Sequence, residues 1–281
     1  MFFNTKGQNM HAIQIDPVIL HLGALQIRWY GLMYVVAFVI GGHILKKLAQ
    51  SGFLKIPENK VDSLLFWCLI GMLVGARTFY VFLYNWDHYS NFPMEMIAIW
   101  KGGLSFHGAL VGIITAMFLF AKKWKLHFFH IADCIAVCGS QGLFFGRIGN
   151  FINHELYGRA TDVPWGMIFS GGGPYPRHPS QLYEAIFEGL VLFLILLLVS
   201  KKTKYYGVVS GLFMGGYGFF RYVIEFFREP DVQLGYYLGG TTTMGQILCW
   251  LMILASVGII LYAYKIKIPT SKNSDLASAL K

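Results

Sequence analysis

The chain has 281 residues, of which 56% are hydrophobic and only 13% are charged, and its mean hydropathy is +0.53. These values exclude an ordinary soluble domain and predict an integral membrane protein, because a bilayer core about 30 Å thick needs about 20 apolar helical residues to cross it. The net charge of +9 does not indicate a nucleic-acid partner, because the lysines cluster after alternate apolar segments.

The hydropathy pattern predicts an all-α membrane protein with seven transmembrane helices in one domain that spans residues 1–281. Lysines follow the first, third, fifth and seventh helices, so the positive-inside rule places the N-terminus outside and the C-terminus in the cytoplasm. No cleavable signal peptide is evident, so we expect the first helix to direct insertion. We expect a short cytoplasmic tail at 270–281. The predicted helices span about 29–45, 63–84, 104–121, 128–148, 181–200, 207–227 and 243–264.

Small residues and cysteines within the helices have mainly structural interpretations. Glycines four residues apart leave smooth strips that let helices pack closely in lipid. They are Gly71 with Gly75, Gly108 with Gly112, Gly142 with Gly146, and Gly207 with Gly211 and Gly215. His130, Cys134 and Cys138 share a helix face and would suit a metal ion, but the sequence offers no fourth ligand. Buried cysteine as a small hydrophobe is the favoured interpretation, and we expect neither a metal nor a cofactor.

Polar side chains within the helices are the functional candidates, because an arginine at mid-bilayer costs about 2.5–3.5 kcal/mol. In the predicted topology, six of the seven helices bring such residues to one depth near the outer face. The pattern therefore predicts a site that opens toward the outer leaflet. The residues are Tyr30, Arg77, His107, Arg147, Asn150, Glu184, Arg221 and Glu225.

Two arginines at this depth suit a phosphate group, which guanidinium binds bidentately, and a phospholipid head group is the nearest abundant phosphate. Arg147 and Asn150 lie three residues apart and share a helix face. Arg221 has Glu225 four residues on, and the alternative interpretation is a purely structural ion pair, in which Glu225 also reaches Arg228.

Two further candidates have weaker signals. Arg77 has no acidic partner nearby in sequence, and we expect a structural role with pairing across helices to Glu184 or Glu225. His107 is suited to proton transfer, although a histidine that only makes hydrogen bonds is the alternative. Residues 150–179 include a Gly-Gly-Gly-Pro run and predict a small cap outside the membrane.

The segment GRIGNFINHELYG at 146–158 resembles the signature of the prolipoprotein diacylglyceryl transferase family. Further segments resemble that family in the same order along the chain. His154 departs from it, since relatives often have glycine there, and Arg28 stands where some have histidine. The segments are IRWYGLMY (27–34), GARTFYVFLYN (75–85), KGGLSFHGALVG (101–112), RHPSQLYEAIFEG (177–189), GYGFFRYVIEFFREPD (216–231) and TMGQ (243–246).

The resemblance implies a transferase of the bacterial inner membrane that acts in lipoprotein biosynthesis. Such an enzyme transfers the diacylglyceryl group of phosphatidylglycerol to the lipobox cysteine of a prolipoprotein and releases glycerol phosphate. It also implies site residues, with His107, Arg147 and Arg221 catalytic and with Glu155, Glu184 and Glu225 supporting. The phosphatidylglycerol-binding residues would be Tyr30, Arg147, Asn150, Gly158 and Arg221.

Two other functions are compatible with a polar site in the membrane. A transporter or flippase would have polar groups at the midplane and repeat symmetry, neither of which the sequence shows. An intramembrane protease would need a nucleophile motif, and Ser105 lies only two residues from His107. The substrate thiol supplies the nucleophile in a transferase, which fits a chain whose own cysteines lie in apolar segments.

Overall fold

The computed structural model describes residues 15–22, 25–229, 236–237 and 242–270, and the described chain is mostly helical. Six helices are long and apolar enough to cross a membrane. Each one coincides within a few residues with a helix predicted from hydropathy. Most of the tail expected at 270–281 lies outside the described residues. The six are Trp29–Gln50, Glu58–Tyr84, Phe106–Lys123, Phe128–Ile152, Ser180–Ser200 and Met244–Ile266.

We number the α-helices in chain order. They are α1 (Trp29–Gln50), α2 (Val61–Phe79), α3 (Trp86–Asn91), α4 (Phe106–Lys123), α5 (Phe128–Ile152), α6 (Ser180–Glu184), α7 (Leu192–Ser200), α8 (Val208–Glu225) and α9 (Met244–Ile266). The predicted segment 207–227 corresponds to α8, an 18-residue helix that does not belong to the six. The helix contains four glycines and the charged pair of Arg221 and Glu225, which lower its hydropathy.

Irregular turns interrupt or extend several helices. A π-helical turn at Tyr80–Tyr84 extends α2, and a π-helical segment at Ala185–Val191 joins α6 to α7. Short 3₁₀ turns are formed by Glu58–Lys60, Pro93–Ile97 and Ile99–Lys101. The Ala185–Val191 segment lies within the fifth predicted helix. Turns of this kind are frequent at functional sites.

Two short antiparallel strand pairs were missed by the all-α prediction. Strands β1 (Val18–Leu22) and β2 (Leu25–Arg28) pair directly before α1. Strands β3 (Tyr236–Tyr237) and β4 (Thr242–Thr243) pair directly before α9. Both pairs are too short to produce a periodic signal that the hydropathy analysis would detect.

The chain divides into two compact units. The described residues up to Ile44 and those from Ile135 to Thr270 form the first unit, and Leu45–Cys134 form the second. The single domain predicted from the sequence stays a prediction. Each of the helices α1 and α5 contributes residues to both units.

In the second unit, the glycine strips of α2 and α4 face each other, as their spacing predicted. A Cβ atom on Gly71 would lie 2.5 Å from the carbonyl oxygen of Gly112, and one on Gly75 would collide with the carbonyl of Gly108. The two backbones therefore touch, and only glycine permits this approach.

Arg77 lies in the same unit and is buried. Its guanidinium donates hydrogen bonds to the carbonyl oxygens of Glu95 (2.6 Å), Met96 (2.7 Å), Gly102 (2.7 Å) and Gly103 (3.0 Å). The expected pairing with Glu184 or Glu225 was wrong, because the loop between α2 and α4 folds its own carbonyls around the cation. The structural role is supported by these four bonds.

In the first unit, the glycine strip of α8 faces α9. Ser256 donates a hydrogen bond to the carbonyl of Gly211 at 2.7 Å, and Gly215 lies against the same serine. The expectation of close packing was wrong for Gly142 and Gly146 on α5. No described atom lies within 4 Å of a Cβ built at either position.

Candidate active site

Glu184 is the centre of a group of buried charges in the first unit. Its side chain is 0% exposed, and Arg221 and Arg228 donate hydrogen bonds to its Oε1 at 2.6 and 3.1 Å. Arg147 Nε lies 2.8 Å from Oε2, which is ion-pair distance, although the N–H is not aligned for a hydrogen bond. Guanidiniums from α5, from α8 and from just beyond α8 thus share one carboxylate of α6.

Arg221 connects this carboxylate to Glu225. Its Nη2 lies 2.9 Å from Glu225 Oε2, as the spacing of four residues predicted. Thr243 donates a hydrogen bond from its hydroxyl to Glu225 Oε1 at 3.0 Å. The TMGQ segment therefore stabilises Glu225. It forms the N-terminus of α9, whose partial positive charge favours a nearby carboxylate.

Glu188 completes the group, and the sequence analysis did not identify it. It is 0% exposed, and its Oε2 lies 3.8 Å from Arg147 Nη2. We call Arg147, Arg221, Arg228, Glu184, Glu188 and Glu225 together the charge cluster. Glu188 could have been found as a second acid, after Glu184, within an apolar predicted helix, since an embedded charge is the signal that identified Arg147.

The part of the alternative interpretation in which Glu225 also reaches Arg228 was wrong, because the Arg228 guanidinium contacts Glu184. The α-helix ends at Glu225, so the residues that follow turn away from the helical spacing on which the expectation relied. Arg228 Nη1 instead donates to Glu184. The backbone carbonyl of Arg228 accepts a bond of 2.6 Å from Arg159 Nε in the segment 150–179.

Asn150 and Glu155 form a second group where α5 ends. Asn150 Nδ2 donates to Glu155 Oε1 at 2.8 Å, and Asn153 Nδ2 donates to the same oxygen at 3.3 Å. Gln181 on α6 donates to the backbone carbonyl of Glu155 at 2.6 Å. Glu155 therefore orients Asn150 and connects the end of α5 to the helix that carries Glu184.

The segment 150–179 folds back on itself through short backbone ladders. The amide of Gly158 donates to the carbonyl of His178 at 2.9 Å, and the amide of Arg159 donates to the carbonyl of Phe227 at 3.0 Å. A Cβ at Gly158 would collide with the Phe227 carbonyl, so glycine is required here by close backbone approach. The Gly171–Gly173 run is tightly turned, with φ of 82° at Gly171 and 81° at Gly173.

His154 adopts a left-handed backbone conformation, with φ of 58°. This explains why glycine suits the position in related sequences, since left-handed φ carries little cost for glycine. The histidine side chain has contacts of its own. Its Nε2 lies 3.0 Å from the carbonyl oxygen of Ile15, and its Nδ1 accepts a bond of 3.4 Å from the amide of Ser170.

Tyr30 and His107 lie in different units. Tyr30, at the start of α1, packs against Gly149, and its hydroxyl lies 3.1 Å from that of Tyr34. His107 occupies the first turn of α4, where it is exposed and its Nδ1 lies 3.4 Å from the Tyr84 hydroxyl. His107 belongs to the second unit and Tyr30 to the first.

The described residues contain no group of three His, Cys, Asp or Glu side chains placed to hold a metal ion. His130 Nε2 instead accepts a bond of 2.7 Å from the amide of Lys55. Cys68, Cys134, Cys138 and Cys249 are buried thiols that take part in no disulfide. The charge cluster and the group around Asn150 offer guanidinium, carboxylate, amide and hydroxyl groups.

Comparison with known proteins gives consistent matches. The model of the family described as "Prolipoprotein diacylglyceryl transferase" matches residues 17–262. The chain is similar to proteins named "Phosphatidylglycerol--prolipoprotein diacylglyceryl transferase" from several bacteria. It is 49% identical to that of Pasteurella multocida (strain Pm70) over 252 residues, which cover 90% of this chain and 93% of the relative. It is 48% identical to that of Vibrio campbellii (strain ATCC BAA-1116), covering 89% and 92%, and 49% identical to that of Geobacter sulfurreducens (strain ATCC 51573 / DSM 12127 / PCA), covering 85% and 92%.

Proposed function

The chain belongs to the prolipoprotein diacylglyceryl transferase family, and on this premise we propose that it transfers the diacylglyceryl group of phosphatidylglycerol to the thiol of a prolipoprotein lipobox cysteine. The reaction forms a thioether and releases glycerol phosphate. One structural observation within the site supports the proposal. Arg147 and Arg221 are held on the same buried carboxylate, Glu184, in an arrangement suited to grip one phosphate.

The geometry of Arg147 supports a role in phosphate binding. Its Nε lies against Glu184, and neither of its terminal nitrogens has a hydrogen-bond acceptor among the described residues. The end of the guanidinium remains available for a ligand, and two N–H groups in one plane match two phosphate oxygens. A lysine ammonium would carry the same positive charge but would lack this coplanar pair of N–H groups.

The proposed chemical step is a displacement at carbon. The thiol gives its proton to a base, and the thiolate attacks the glycerol carbon that bears the phosphate ester. A C–S bond forms, the C–O bond breaks, and its electron pair stays on the phosphate oxygen. Arg147 and Arg221 stabilise the negative charge that grows on the phosphate, which is the kind of electrostatic stabilisation that oxyanion holes provide.

We assign the base to His107 and the remaining contacts to residues of the first unit. Asn150 and Tyr30 would donate hydrogen bonds to the lipid head group. Glu155 positions Asn150 through the bond of 2.8 Å, and Gly158 lets the cap approach the end of α8. No step calls for a metal or an organic cofactor.

The proposed topology has seven transmembrane helices, with α8 as the sixth, the N-terminus outside and the C-terminus in the cytoplasm. The protein resides in the bacterial inner membrane, and the site faces the outer leaflet. Residues 150–179 form an extracytoplasmic cap. Lysines after alternate helices support this orientation.

A transfer assay tests the function. Purified protein is incubated with glycerol-labelled phosphatidylglycerol and a lipobox peptide, and the products are separated by mass. A thioether lipopeptide and glycerol phosphate are expected in equal amounts. A matched peptide with serine in place of cysteine should give neither product, and absence of both products with the cysteine peptide would refute the proposed reaction.

The role of His107 has its own test. The transfer rate is measured against pH for the wild type and for His107→Gln, with His88→Gln as a histidine control. If His107 is the base, the rate falls and the acidic limb of the wild-type profile disappears. Identical rates and profiles would remove His107 from the chemistry and leave the arginines to promote thiol ionisation.

A further inference from the structure

Glu188 differs from every other acid of the charge cluster in its contacts. It lies in the π-helical segment Ala185–Val191, with 0% of its side chain exposed. Among the described residues, neither of its carboxyl oxygens has a hydrogen-bond partner. Glu184, four residues earlier and equally buried, contacts three guanidiniums.

An ionised carboxylate in such a place is unfavourable. Burying a charge costs several kcal/mol unless close pairing and hydrogen bonds offset the loss of water. The cation closest to Glu188 is Arg147, and its Nη2 is 3.8 Å away, beyond hydrogen-bonding distance. The neutral acid avoids this cost, because removing an uncharged carboxyl group from water is less unfavourable than removing a carboxylate.

The charged groups that face Glu188 determine the net charge of the cluster. They are Arg147 from α5, Glu184 from α6, and Arg221 and Arg228 from α8 and the turn after it, with Tyr217 of α8 as the neutral titratable neighbour. Glu225 binds Arg221 and is the sixth member of the cluster. With all three acids ionised, the cluster carries no net charge. With a proton on Glu188, three guanidiniums face two carboxylates, and one positive charge remains.

We propose that Glu188 holds a proton in the resting enzyme and thereby sets the charge cluster to +1, the complement of the single negative charge of a phosphodiester head group. This inference rests on the proposed phosphate contact with Arg147 and Arg221. Glu188 is a positioning residue, because it acts through the charge that Arg147 presents. A phosphodiester monoanion is neutralised in this site, whereas a doubly ionised phosphate monoester, the product class, leaves an excess negative charge that favours its release.

Infrared spectroscopy tests the proton directly and independently of transfer. A protonated carboxylic acid has a C=O stretching band that shifts in D₂O, and the wild type is expected to show such a band from a buried acid. The band should vanish in Glu188→Gln, move in Glu188→Asp and persist in the surface control Glu229→Gln. A spectrum in which no protonated-acid band depends on Glu188 overturns the proposal.

Binding tests the charge match. Affinity for short-chain phosphatidylglycerol is measured in uncharged detergent for the wild type, Glu188→Gln and Glu229→Gln. If Glu188 is already neutral, its amide isostere binds within about twofold of the wild type. If Glu188 is ionised, removing that charge tightens binding by roughly tenfold or more, because a buried like charge beside the phosphate costs at least about 1.4 kcal/mol. Such tightening overturns the proposal.

The two measurements separate failure of this inference from failure of the proposed function. Wild-type protein that does not bind short-chain phosphatidylglycerol contradicts the phosphate site and therefore the charge match. The infrared band still decides whether Glu188 is protonated. Conversely, normal transfer without a Glu188-dependent band leaves the function intact and refutes the proton on Glu188.

Discussion

Two buried regions of this protein are held together in opposite ways. In the second unit, α2 and α4 meet through glycines, and backbone lies against backbone without side chains between them. In the first unit, α5, α6 and α8 meet through the charge cluster, where long side chains share one carboxylate. The first contact depends on volume and tolerates no added atom, whereas the second depends on charge and permits a ligand to exchange with a protein group.

The largest expected effect comes from neutralising the centre of the charge cluster. Glu184→Gln removes the carboxylate that three guanidiniums share, and loss of one partner from a buried ion pair costs about 3–5 kcal/mol. We expect transfer to fall by more than about 100-fold, the equivalent of about 2.7 kcal/mol in the barrier, and the melting temperature to decrease. Glu229→Gln is the matched control, because its pair with Arg177 is on the surface and such pairs contribute about 0–1 kcal/mol. Near-normal transfer by Glu184→Gln would show that the cluster is not the site.

A second substitution tests a cation that is bound by carbonyls in place of carboxylates. Arg77→Lys keeps the charge, but an ammonium cannot reproduce four bonds to the carbonyls of residues 95, 96, 102 and 103. Loss of one charge-assisted hydrogen bond costs about 1.5–3 kcal/mol. Thermal unfolding in detergent should show a clear decrease, with Lys122→Arg as a surface control. An unchanged melting temperature would mean that the loop is held by other contacts.

The glycine contact is tested by adding a single methyl group. In Gly112→Ala the new Cβ collides with the carbonyl oxygen of Gly71, which belongs to the backbone and cannot rotate away. Overpacking of this kind costs about 1–3 kcal/mol. Gly258→Ala on α9 is the control, because no described atom lies within 4 Å of the added Cβ. Equal stability of the two variants would contradict the backbone contact between α2 and α4.

The smallest expected effect concerns the segment 150–179, where His178 is partly exposed. Partial burial against Phe227 lowers the pKa of His178 below its ordinary value near 6.5. At mildly acidic pH the unfolded chain then binds more protons than the folded one. The contribution of His178 to stability is therefore complete above the pKa that the histidine has in the unfolded chain, and it is lost as the pH falls through that value. Melting temperatures at pH 8 and pH 5 should differ slightly less in His178→Gln than in the wild type. A difference of the same size in both proteins would exclude His178 as a contributor.

Hydropathy alone located the long helices, because burial in lipid requires about 20 apolar residues whatever their neighbours are. The glycine spacing predicted surfaces for close helix packing without naming the partner helices, and the embedded charges made Arg147, Arg221 and Glu184 candidates. The sequence did not reveal where each charge would find its partner. Arg77 was expected to bind an acid and binds carbonyls. Spacing put Arg228 within reach of Glu225 in the alternative interpretation, and Arg228 binds Glu184.

The sequence by itself thus determined that this is a membrane protein with charged residues inside its helices, since composition, hydropathy and the GRIGNFINHELYG segment are local properties of the chain. Only the tertiary structure decided which groups share that site. Ion pairing depends on where helix ends, π-helical turns and loops place side chains, and these positions depend on packing between segments far apart in sequence. Glu188 is the clearest case, because a glutamate within an apolar helix acquires a specific role only when Arg147 is brought 3.8 Å from it.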